Sequence, residues 1–236
     1  MMVKGISIAC LAIAMIDPAV AQKVNSGERV KEQGRSSAKA AQEFANCLVY
    51  RRGEDVRLFL DMTTPDAAAK ISRGLFSEEN CLSMPNAIAF TESLQLQSPA
   101  AIQRGVLAEA LMGDMKDQPV PEAQPLRTNY RNPWFKVSAR DPAVDEMATC
   151  VAATNPSGIT KLVHTVAESG EERAAVASLS PSLGPCLVKN AKLTANRQSL
   201  RAALAEALYH RMATPELLTA PEAGGDRPVS TSPVRN

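Results

Sequence analysis

The strongest constraint on this chain is a pair of cysteines that occurs twice at nearly one spacing. Cys47 and Cys81 stand 34 residues apart, and Cys150 and Cys186 stand 36 apart. The flanking letters echo each other, FANCLV with MATCVA and NCL with PCL. Beyond each pair lies the same helical phrase, RGVLAEALM at Arg104–Met112 and RAALAEALY at Arg201–Tyr209, with six of nine positions matching in place. Three landmarks in one order, two of them at matched spacing, predict an internal duplication.

Equivalent copies call for equivalent bonds, which favours Cys47–Cys81 and Cys150–Cys186, one staple per copy. The crossed pairing of Cys47 with Cys150 and Cys81 with Cys186 is open if both pairs lie near a pseudo-twofold axis. Free buried thiols are the plain alternative. A bond closing about 35 residues contributes roughly 3–4 kcal/mol on the chain-entropy account. A helical unit of this size has a thin core, so that is a sizeable share of its stability.

Disulfides need an oxidising compartment, and the N-terminus supplies a route to one. Lys4 precedes the apolar run Ile6–Ile16, broken only by Ser7, and Ala19-Val20-Ala21 has the small-x-small form of a signal-peptidase site. The run is about half of what spans a bilayer. Residues 1–21 therefore read as a signal peptide cleaved after Ala21, which places the product in the periplasm or the medium. Cys10 lies too close to Lys4 for a lipoprotein anchor. No later segment is apolar enough to span a membrane. The formal charge of +1 lacks the footprint of a nucleic-acid binder.

Alanine and leucine dominate and aromatic residues make up 4%, so the expected fold is all-α: two tandem, disulfide-stapled helical repeats. Residues 22–37 read as a flexible polar arm, 38–113 as the first repeat and 141–213 as the second. Residues 114–140 form a proline-rich connector, and 214–236 a disordered tail. Gly53 should stop the first helix, with a second over Glu54–Met62. Thr64-Pro65-Asp66, Ser98-Pro99 and Asp141-Pro142 open others, and Ser169 with Glu172 forms a capping box. Ser180-Pro181 is expected to open a separate short turn. In the closing helix Leu200, Ala203, Leu204, Ala207 and Leu208 form one apolar stripe, matched by Val106, Leu107, Ala110 and Leu111. Glu109 and Glu206 lie off that stripe, which predicts a solvated face. A sharper reading makes them a carboxylate pair across the pseudo-symmetry axis.

The connector holds Tyr130, Trp134 and Phe135 among four prolines. These rings are expected either to dock on the helices or to serve as an exposed contact for a protein or peptide partner. Chemistry is otherwise sparse. His164 and His210 have no metal-ligand spacing, and no HExxH, Walker, dinucleotide or G-x-S-x-G motif occurs. Ser36-Ser37-Ala38-Lys39 matches S-x-x-K without its companion motifs. No catalytic residue, metal ligand or cofactor site is predicted. The reading is a binding or envelope-associated protein; a periplasmic enzyme with its site between the repeats, or a self-associating structural component, are the rivals.

FANC near the mature N-terminus, a second cysteine followed by leucine, and RGxLAEALM or RxALAEALY together resemble a family of uncharacterised exported proteins of Gram-negative bacteria. The resemblance spans about Phe44–Met212. It implies export and a duplicated helical unit, and no activity.

Overall fold

A computed structural model describes residues 26–82, 99–115, 117–187 and 195–213. The expected signal peptide and the expected tail lie outside them. The described residues are helical, with no strand among them. In chain order the helices are α1 (Ser26–Asp61), α2 (Pro65–Leu75), α3 (Glu79–Leu82), α4 (Pro99–Asp114), α5 (Pro142–Thr154), α6 (Pro156–Val163), α7 (Gly170–Cys186) and α8 (Arg197–Ala213). A 3-10 turn at Pro133–Val137 interrupts the otherwise irregular connector.

Both disulfides form within their own halves, Cys47–Cys81 tying α1 to α3 and Cys150–Cys186 tying α5 to α7. The two helices that carry the repeated phrase, α4 and α8, pack directly on each other; α1 lies on α4, and α5 on α8. Leu107, Leu111, Leu204 and Leu208 are buried in that centre with Phe44, Leu48, Met147 and Val151. Each such side chain contributes about 1.5–3 kcal/mol on leaving water.

Gly105 and Ala202 are each the second residue of the phrase, and they meet where α4 crosses α8. A Cβ added at Gly105 would overlap the Cα, Cβ and carbonyl oxygen of Ala202. Only glycine permits this approach.

The halves break their helices at the same place. Arg52, five residues after Cys47, kinks α1 with φ −136° and ψ 35°. Asn155, five residues after Cys150, separates α5 from α6 with φ −143° and ψ 59°. Asn155 also caps α6, accepting from the Gly158 N–H at 3.0 Å. Asp141 caps α5 through the Ala143 N–H at 2.9 Å, whereas Thr64 makes no side-chain cap bond on α2.

Two local expectations are corrected. The stretch expected as a polar arm is helical from Ser26 onward. No separate turn opens at Ser180-Pro181, because α7 runs through both Pro181 and Pro185. The carbonyls that lose their partners belong to Ala177 and Pro181, which are exposed, so water replaces the missing N–H groups.

Candidate functional site

The phrase that is written twice carries one arginine and one glutamate, and these are its most informative residues. They stand five apart, too far around a helix to pair with each other. Each instead reaches into the other half. Arg104 of α4 donates from Nε to Glu206 of α8 at 2.6 Å. Arg201 of α8 donates from Nε and Nη2 to the two oxygens of Glu109 of α4, at 2.7 and 2.8 Å.

Each arginine also ties down a helix end of its own half. Arg104 donates to the carbonyls of Phe59 and Leu60 at the end of α1, at 2.9 and 2.7 Å. Arg201 donates to those of Val163 and Thr165 at the end of α6, at 3.3 and 2.7 Å. Leu60 and Val163 each stand thirteen residues after the first cysteine of their half. These carbonyls lie at or just past a helix end, where backbone donors run short (Phe59 keeps one, the Met62 N–H at 3.4 Å). A guanidinium meets them with both hydrogen bonds and favourable charge.

The expectation of a solvated face for the glutamates is therefore wrong. Glu206 is fully buried and Glu109 is 9% exposed. Nor do they pair with each other; each faces the arginine of the opposite helix. Burying such charges is tolerated only because every one is paired and hydrogen-bonded.

The two ends of the network differ at the position five residues before the first cysteine of each half. Gln42 stands five residues before Cys47 and donates to Glu109 at 2.5 Å, while its oxygen accepts from the Ala167 N–H at 2.9 Å. Asp145 stands five residues before Cys150, and a second carboxylate beside Glu206 needs a cation between them. The connector delivers it. Arg140 bonds Asp145 at 2.7 Å and also donates to Glu206 and to the Ala101 carbonyl. Ser138 adds a bond to the other Asp145 oxygen at 2.5 Å. On the Glu109 side the extra charge belongs to Glu172, which accepts from Arg201 at 2.9 Å.

Burial pushes the Glu206 carboxyl up, but the charges of Arg140 and Arg104 outweigh it and hold the group far below the usual carboxylate range. For Asp145 burial wins over Arg140 and Ser138, and its carboxyl is raised. A depressed folded value means stability that is complete above the ordinary value of 4.5 and is lost as pH falls below it. Glu206→Gln should therefore be less stable than the parent at pH 7, with a gap that narrows by about 1.4 kcal/mol per pH unit below pH 4.5. Urea unfolding at pH 7, 5 and 3.5 checks this; a gap that does not change would refute the depressed carboxyl.

Trp134 is 5% exposed and stacks on His210, with ring centroids 4.9 Å apart and planes at 15°. Phe135 meets Trp134 edge-on at 4.6 Å, and the Arg140 guanidinium lies 5.8 Å from the Trp134 ring. Trp134 is thus docked, and Tyr130 and Phe135 are half-buried beside the core. His164 sits exposed at the end of α6. Among the described residues no group of His, Cys, Asp and Glu is arranged to hold a metal ion.

Searches against family models, curated proteins and solved structures found no match.

A groove of about 470 Å³ opens between α1, α4 and the end of α6, so both halves contribute to it. Lys39, Gln42, Glu43 and Asn46 line one wall, Val106, Ala110, Met112 and Gly113 another, and Val163 to Val166 the third. Glu109 reaches its floor. Sequence reasoning missed the groove, because its walls come from segments with no shared motif. The one available signal was the retention of both Arg and Glu in the two copies of the phrase.

Proposed function

We propose that this is an exported, non-catalytic binding protein of the cell envelope, made by head-to-tail duplication of one stapled helical unit. A protein or peptide partner docks in the groove where the units meet. The observation that carries this reading is a groove of ligand-binding size whose underlying charges already serve the fold. Both oxygens of Glu109 are occupied by Arg201, and Gln42 adds a third bond. A carboxylate so engaged is poorly placed to move protons.

Duplication is supported by the matched helix breaks at Arg52 and Asn155, by the staples within each half, and by the reciprocal arginine–glutamate pairs. Export after cleavage behind Ala21 is supported by the disulfides, which suit an oxidising compartment. Among the described residues no helix is long and apolar enough to cross a membrane. The enzyme reading has one observation in its favour, that Glu109 and His164 line the same groove.

A photo-crosslinking residue at Val166, which lines the groove and is 53% exposed, tests the reading in cells. A discrete protein adduct at Val166, absent when the crosslinker replaces Tyr50 outside the groove, is expected. No adduct, or equal labelling at both positions, rejects the partner.

A further inference from the structure

The groove has a counterpart in the second half, and the chain fills that counterpart itself. Gln42, Glu43 and Asn46 stand as far before Cys47 as Asp145, Glu146 and Thr149 stand before Cys150. Glu109 and Gly113 occupy the same places after Arg104 as Glu206 and His210 after Arg201. At the second set of positions lies the connector segment Pro133–Arg140. Its Trp134 stacks on His210, Ser138 and Arg140 bond Asp145, and Val137 and Ser138 are buried.

Resting on the duplication proposed above, we infer that the open groove takes an aromatic side chain presented by a partner peptide, as the second half takes Trp134. Three observations give the ligand its chemistry. A Cβ at Gly113 would meet nothing within 4 Å, so the place that His210 fills beneath Trp134 is open in the first half. Val106, Ala110, Met112, Val163 and Val166 supply an apolar lining that an aromatic ring buries well. Lys39, Glu43, Asn46 and His164 give the polar rim that peptide backbone and flanking side chains require.

The floors of the two sites set the limit of the likeness. In the second half Arg140 lies between Asp145 and Glu206 and bonds both, adding a second cation to the Arg104 that Glu206 already holds. In the first half neutral Gln42 bonds Glu109 directly, and no cation is called for. The ligand is therefore defined by its ring and not by a positive charge.

The test uses the full mature chain and a fluorescently labelled peptide, NPWFKVSAR, copied from Asn132–Arg140. Saturable binding by anisotropy is expected, weakened at least tenfold when the peptide's tryptophan becomes alanine. Replacing its arginine by alanine should change the affinity less than threefold. Gly113→Trp in the protein fills the slot from within, at an exposed position, and should abolish binding while the circular dichroism spectrum is unchanged. His210→Ala should leave binding intact if the peptide enters the first groove and not the second.

No saturable binding, or binding indifferent to the tryptophan or to Gly113→Trp, overturns the inference. So does N-acetyltryptophanamide binding as tightly as the peptide, since the ring alone would then suffice. Peptide binding without a cellular adduct at Val166 keeps this chemistry and removes the envelope partner. The reverse result removes the aromatic ligand and keeps the partner.

Discussion

Glu206→Ala should be the most damaging single substitution in the core. It leaves Arg104, wholly buried, and Arg140, with 3% of its side chain exposed, facing the same emptied space. Removing one member of a buried pair costs on the order of 3–5 kcal/mol, because the survivor keeps its desolvation penalty without its partner. Here two cations survive, and their mutual repulsion adds to that cost. A domain of this size is stable by about 5–15 kcal/mol, so the variant should be largely unfolded or recovered in low yield. Circular dichroism and urea unfolding measure it. Glu54→Ala is the matching control, since Glu54 pairs with Arg57 at 3.0 Å but its side chain is 93% exposed; no measurable loss is expected there. Equal effects at the two positions would remove the claim that burial makes the Glu206 pairs matter.

Gly105→Ala should be nearly as severe, although alanine is the better helix former by about 1 kcal/mol. The new methyl group would overlap the backbone of Ala202, and backbone does not yield as a flexible side-chain tip does. The helices must part, which strains the arginine–glutamate pairs on either side of the crossing. Overpacking costs about 1–3 kcal/mol and occasionally more. An overlap with the Cα, Cβ and carbonyl oxygen of Ala202 together belongs at the top of that range or beyond it, so a net loss of about 2 kcal/mol is expected after the helix gain. Gly74→Ala in α2 isolates that gain, because a Cβ there meets nothing within 4 Å. It should raise stability by about 0.5–1 kcal/mol. A Gly105→Ala variant as stable as the parent would mean that α4 and α8 do not meet as closely as described.

What the sequence made legible was local chemistry. Proline after Asp141, the Ser169–Glu172 box and the cysteine spacing each act over a few residues or through one covalent bond. The capping box shows where such local reading stops. Ser169 accepts from the Glu172 N–H at 3.0 Å as expected. Glu172, however, takes the Glu168 N–H at 2.9 Å with one oxygen and Arg201 with the other. A cap residue has been drawn into a contact from another helix.

The glutamates of LAEAL were misplaced for the same reason. A charge off an apolar stripe is solvated unless something across the interface neutralises it, and that partner belongs to a different helix. In α8 every residue from Arg201 to Tyr209 is buried, so no face of that stretch is left to water. A 3.6-residue stripe describes one buried side, and it fails where a helix is covered all round. Prolines likewise overstated the irregularity of α7, where exposed carbonyls let a helix continue.

The central claim is that the two copies of the phrase hold the protein together by exchanging partners, arginine of one with glutamate of the other. A double-mutant cycle on the full chain measures this directly, with Arg104→Met combined in turn with Glu206→Gln and with Glu109→Gln, each followed by urea unfolding. Coupling of about 2 kcal/mol or more is expected for Arg104 with Glu206, and a value near zero for Arg104 with Glu109 on its own helix. Strong coupling within α4, or none between α4 and α8, would contradict the exchange.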